Sequence, residues 1–103
     1  MIHKHIYSIE EIHTEYSEWI QAYEIPLSDG YSLSILTGSH DSSATEGTLE
    51  IALLLHGDYA IQDDDYLDPS IIHFISKDEA ISMLKEMQDT KKYINTFISY
   101  RDK

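Results

Sequence analysis

The chain has 103 residues, 42% of them hydrophobic and 11% aromatic, which suits one folded domain over residues 1–103. It has no cysteine, so disulfides, thiolate catalysis and zinc held by cysteine are excluded. Nineteen acidic residues against seven lysines and arginines give a formal net charge of −12, which repels nucleic-acid phosphates and anionic lipid and makes a basic protein the natural partner.

The opening stretch, MIHKHIYSIEEIH, has no apolar run behind a basic start, so no secretory leader is expected. No apolar run reaches the ~18 residues that a membrane span needs. With cysteine absent as well, the cytoplasm is the expected compartment. Residues 2–7 alternate loosely and suit a short edge strand. Ser8 then opens S-I-E-E, a capping-box pattern with Glu11 at the reciprocal position. Ile9, Ile12, Tyr16, Trp19, Ile20 and Tyr23 follow at steps of three and four, which predicts a first helix ended by Pro26. Glu10, Glu11, Glu15 and Glu18 form its solvated face, and His13 lies on the polar side.

Ser28-Asp29-Gly30 is a turn signal. Tyr31, Leu33 and Ile35 alternate with serines, as in a half-buried strand. TGSHDSSATEGT, residues 37–48, reads as a long exposed loop to the next strand. That strand places Leu49, Ile51, Leu53 and Leu55 on one face and Ala52 and Leu54 on the other, and is expected to be central. Gly57-Asp58 suits the central pair of a hairpin turn, with residues 59–62 returning as a strand. IIHFI, residues 71–75, is the last strand, with His73 as a hydrogen-bonded core or boundary histidine. Ser76 and Glu79 make a second capping box. Ala80, Leu84, Met87, Ile94 and Ile98 share a helical stripe that Lys91 interrupts, and a break is expected near Asp89-Thr90. The result is an α+β chain: a two-layer fold with a mainly antiparallel sheet of about four strands, an N-terminal helix and a C-terminal helix packed on it.

Catalytic patterns are absent. There is no G-x-S-x-G, and the four glycines, at 30, 38, 47 and 57, form no phosphate loop. His3 and His5 with Asp63, Asp65 and His73 could make an oxygen–nitrogen metal site. The aspartates, however, miss the calcium-loop template, with Leu67 at a ligand position and Asp68 where glycine belongs. Consecutive aspartates in a polar loop stay hydrated and ionised, which is the wrong state for a general acid. The expectation is therefore a chain without catalytic residues, resident metal or cofactor.

The distinctive stretch is IQDDDYLDPS, residues 61–70. Asp58, Asp63, Asp64, Asp65 and Asp68 are five carboxylates in eleven residues, with Tyr59 and Tyr66 interleaved and no lysine or arginine between Gly57 and Ser76. Aspartate is also a good turn former, so a plain solvated loop is the competing reading. The sharper one is a docking surface for a cationic cleft: carboxylates attract and orient guanidinium groups, and tyrosines supply rigid contact area. Asp63, Asp64, Asp65, Tyr66 and Asp68 are the first candidates, then Asp41 and Glu46 in the polar loop, then Asp58 and Tyr59.

In type the chain resembles bacterial immunity proteins, those of contact-dependent growth-inhibition and other polymorphic toxin systems. The likeness lies in its size, acidity and lack of cysteine, in IQDDDYLDPS and in the polar loop, and not in a shared motif. The resemblance implies a cognate basic toxin, a ribonuclease ahead of a deoxyribonuclease, covered at its active-site region by a monomeric, non-enzymatic inhibitor. A small metal-binding protein or metal-dependent enzyme is the alternative, and an acidic nucleic-acid mimic or adaptor a further one.

Overall fold

The computed structural model describes residues 3–13, 21–37 and 47–103. The strongest alternation builds the strongest pair. Strands β3 (Tyr31–Thr37) and β4 (Thr48–Leu55) run antiparallel, with Leu33 opposite Leu53 and Ile35 opposite Ile51, all four fully buried. A period of two puts such residues on one face of the pleat. β2 (Gln21–Pro26) pairs antiparallel with β3 on its other side, and β1 (Lys4–His5) pairs parallel with β2. The far edge of β4 is shared by β5 (Asp58–Tyr59) and β6 (Ile71–Ser76), both antiparallel to it. The described residues thus form a mixed six-stranded sheet, more strands than the four expected. Tyr59–Gln62 contributes strand structure only at Tyr59.

The predicted first helix is overturned wherever the chain is described. Residues 9–11 form one 3-10 turn, Ser8 makes no side-chain cap bond, Ile12 is extended, and residues 21–26 are strand β2. Tyr16, Trp19 and Ile20 lie outside the described residues. Ile9 and Ile12 are fully buried, but as a short turn packed against the first of the helices that follow. The Lys77 ammonium fixes that turn by donating to the carbonyls of Glu10 at 2.9 Å and Ile12 at 2.6 Å.

Two tight turns set the register of the sheet. At Ser28–Tyr31 the central pair, Asp29-Gly30, has φ of 59° and 85°, and the Tyr31 N–H donates to the Ser28 carbonyl at 3.1 Å. Two successive positive φ values match the right-handed twist of a hairpin. The β4–β5 turn has the same signs at His56 (52°) and Gly57 (82°), so its central pair is His56-Gly57, one residue earlier than the expected Gly57-Asp58. Leu55 then faces Asp58 across the turn. The turns touch: the His56 N–H donates to the Gly30 carbonyl at 2.8 Å, and the His56 ring lies where a Cβ on residue 30 would sit.

Helix α1 (Lys77–Thr90) starts as expected, with the Ser76 hydroxyl accepting from the Glu79 N–H at 3.2 Å. It stops at the expected break, because Lys91 takes a left-handed conformation (φ 59°), and α2 (Tyr93–Arg101) begins two residues later. The break shifts the helical phase. Tyr93, Thr96 and Phe97 are the residues buried in α2, while Ile94 and Ile98 of the expected stripe are only half-buried. Ala80, Met83, Leu84 and Met87 of α1 join Phe97, Leu33, Ile35, Leu49, Ile51 and Leu53 in one hydrophobic cluster.

Candidate functional site

The acidic stretch is a loop closed at its base. Ala60 leaves β5 with its N–H on the Leu53 carbonyl at 3.0 Å. Ser70 returns with its hydroxyl on the same carbonyl at 2.6 Å and its own carbonyl accepting from the Leu53 N–H at 3.0 Å. Both ends of the loop are therefore bound to one residue of the central strand. Between them the chain turns on local bonds. The Asp63 carboxylate accepts from the Asp65 N–H at 3.0 Å, and the Asp63 carbonyl from the Tyr66 N–H at 3.1 Å. This is how aspartate commonly stabilises a turn.

The loop encloses a hollow of about 300 Å³, and Tyr59, Asp63, Asp64, Tyr66 and Asp68 all line it. The structure thus brings together five of the nine candidate residues. Asp58 and Asp65 do not line this hollow, and Asp41 and Glu46 lie outside the described residues. Among the described residues, no lysine or arginine forms an ion pair with Asp63, Asp64, Asp65 or Asp68. Four of the five large hydrophobic side chains exposed in the described residues belong to the same part of the chain: Tyr59 (52% exposed), Tyr66 (45%), Leu67 (96%) and Phe74 (53%).

A cation distant in sequence supports the loop without neutralising its carboxylates. Arg101, at the end of α2, donates to the Pro69 carbonyl at 2.8 Å and places its guanidinium 4.1 Å from the centre of the Tyr66 ring. Its carboxylate partner is the adjacent Asp102, at 2.8 Å. That hydrogen bond raises the Arg101 pKa, with the proximity of Tyr66 adding to it, and holds Asp102 below the ordinary carboxylate value. No local pattern in 57–76 signals Arg101, because its role arises from the docking of α2.

His73 is hydrogen-bonded, as expected, but it is exposed rather than in the core or at its boundary, because a β-bulge decides its surroundings. Ile72 faces Ile51 and Ile75 faces Leu49, so His73 and Phe74 together oppose Glu50, and Phe74 takes a positive φ of 58°. The extra residue lets Ile72 and Ile75 both reach the core and turns His73 and Phe74 outward. The His73 Nδ1 lies 3.1 Å from Glu50 and its Nε2 3.3 Å from Asp68. Both nitrogens can donate together only in the protonated ring. His73 thereby links the acidic loop to the sheet. Glu50 went unnoticed in the sequence because only the strand register places it here.

The residues considered for a metal stay apart. His3 bonds to Ser34 at 3.2 Å, His5 lies 3.9 Å from Glu24, and Asp63 serves the loop's own turn. Among the described residues, no group of three histidine or acidic side chains is arranged to hold a metal ion. None of their helices is long and apolar enough to cross a membrane. In comparisons with known proteins, no family model, curated protein or solved structure matches the chain.

Proposed function

We propose that this protein is an immunity-type inhibitor that binds and neutralises a cognate basic toxin, a nuclease and foremost a ribonuclease. The observation that carries the reading is the loop hollow, where Asp63, Asp64 and Asp68 stand with Tyr59 and Tyr66 and, among the described residues, no lysine or arginine pairs with the acids. A nuclease needs a positive cleft to hold phosphates, and carboxylates presented at similar spacing occupy such a cleft. The exposed tyrosines add contact area at small entropic cost.

In this reading the protein has no catalysis of its own and acts as a monomer on its toxin in the cytoplasm of the producing bacterium. The reading takes the helices and the sheet as two layers, with the acidic loop joining β5 to β6. The grouping of the acids around one hollow supports inhibition of a compact cleft over mimicry of an extended nucleic acid. The test is to mix the protein with the basic C-terminal domain of a large secreted protein encoded beside it and to follow RNA cleavage. The reading expects stoichiometric inhibition. Undiminished cleavage at molar excess, with no complex on a sizing column, contradicts it.

A further inference from the structure

The sheet has a second face, and its composition follows from the register. On the core side the rows are Tyr23–Ile35–Ile51–Ile72 and Ile25–Leu33–Leu53. On the opposite side one row runs Glu24–Ser34–Ala52–Ile71 across four strands. Leu36–Glu50 and Ser32–Leu54–Tyr59 flank it. This side holds a hollow of about 490 Å³, floored by Leu36, Ala52, Leu54 and Ile71 and rimmed by Glu24, Glu50 and Asp58. Its floor is half-buried, His3 also lines it with its Nε2 3.2 Å from the Ser34 hydroxyl, and among the described residues no lysine or arginine does. It shares Tyr59 and Ile71 with the loop hollow, so the two adjoin.

We infer that this sheet face is a second seat for the same partner and takes an extended segment of it that bears arginine or lysine. The inference rests on the reading of the chain as a binder of a basic protein. Charge complementarity selects the occupant. An acidic or neutral segment gains nothing from Glu24 and Asp58, whereas a cationic side chain can lay its aliphatic stem on the apolar floor and bring its charge to the rim. Spacing narrows the choice. Glu24 on β2 and Asp58 on β5 are three strand spacings apart, about 14 Å, and offset by about 10 Å along the strands. An extended segment of about five residues covers that diagonal. Tyr59, half-exposed between the hollows, is the shared anchor.

The experiment titrates isotope-labelled protein with a short peptide alternating arginine and valine, and with the matching glutamate–valine peptide, and follows backbone amides by NMR. Expected are saturable shifts at Ser34, Leu36, Ala52 and Leu54 with the arginine peptide alone. They persist when Asp63, Asp64 and Asp65 are all changed to Asn. They weaken about threefold in affinity in Glu24→Gln, the size of one partly exposed ion pair, and vanish in Ser34→Lys, which fills the hollow with a like charge. Glu24→Gln, at the half-exposed rim, keeps the test valid if Ser34→Lys fails to fold. Shifts confined to residues 58–68 and removed by the triple Asn change would overturn the second seat and leave the loop reading standing. Shifts on the sheet face with none on the loop would support the seat and count against the loop. Shifts on neither, or equal shifts with both peptides, would overturn the inference.

Discussion

Arg101→Ala separates two accounts of how the acidic loop works. It makes the net charge of −12 one unit more negative. If charge alone drew the partner in, binding would tighten slightly. The structure argues the reverse, because Arg101 holds the loop in shape. Its charge-assisted bond to the Pro69 carbonyl at 2.8 Å contributes about 1.5–3 kcal/mol. Its stacking 4.1 Å from the Tyr66 ring adds about 0.5–1 kcal/mol. The two contacts act on the same few residues and do not add fully. A loss of about 2 kcal/mol corresponds to a roughly 30-fold rise in local opening. Hydrogen exchange reads it directly at the Tyr66 and Ile71 amides, which bond to the Asp63 and Asp68 carbonyls. The expected result is faster exchange there, little change at Leu33 or Ile35, and a faster off-rate from a basic partner. Arg101→Lys restores the charge and not the paired geometry, so it rescues little. Unchanged exchange in the loop together with tighter binding would refute the positioning role of Arg101.

Three further outcomes test the fold. Gly30→Ala should destabilise by about 1–2 kcal/mol in urea unfolding, since a side chain at φ 85° is strained and its Cβ would meet the His56 ring at 2.3 Å; in a His56→Ala background the cost should fall by the clash share, and an equal cost in both would rule the clash out. Ser76→Ala should cost about 1 kcal/mol by removing the cap on the Glu79 N–H, and no change in the unfolding midpoint would deny the cap its part. The Arg101 hydrogen bond lowers the Asp102 pKa from its ordinary 3.8, so its stabilisation is present above that value and fades as pH falls through the lowered one; a carboxyl NMR titration should give an Asp102 midpoint that moves up in Arg101→Ala, and an identical midpoint in both proteins would contradict it.

The readable parts of the fold were those where a single period dominates. Leu33 and Ile35, then Leu49, Ile51 and Leu53, repeat every second residue, and Ala80, Leu84 and Met87 follow helical steps. The first helix misled because Ile9, Ile12, Tyr16, Trp19, Ile20 and Tyr23 fit a helical stripe, yet Ala22 and Ile25 are the residues that β2 buries. Asp29-Gly30 carried the missing information: such a pair at a hairpin turn requires a strand on both sides, and β2 is that strand. At the site the aspartates and tyrosines were visible as composition. Their supports were not. Arg101 arrives through the packing of α2, and the His73–Glu50 contact depends on one extra residue in β6. Neither leaves a local signal.

The most direct test of the central claim is the association rate of the protein with its basic toxin domain as a function of ionic strength, before and after Asp63, Asp64 and Asp65 are changed together to Asn. A unit charge about 10 Å from a counter-charge in water contributes about 0.4 kcal/mol, so the three contribute about 1.2 kcal/mol, a roughly eightfold rate effect at low salt. Near physiological salt, with a Debye length of about 8 Å, the effect shrinks to about twofold. The account predicts slower association for the triple variant and a shallower salt dependence. Equal rates and equal salt slopes for the two proteins would contradict it.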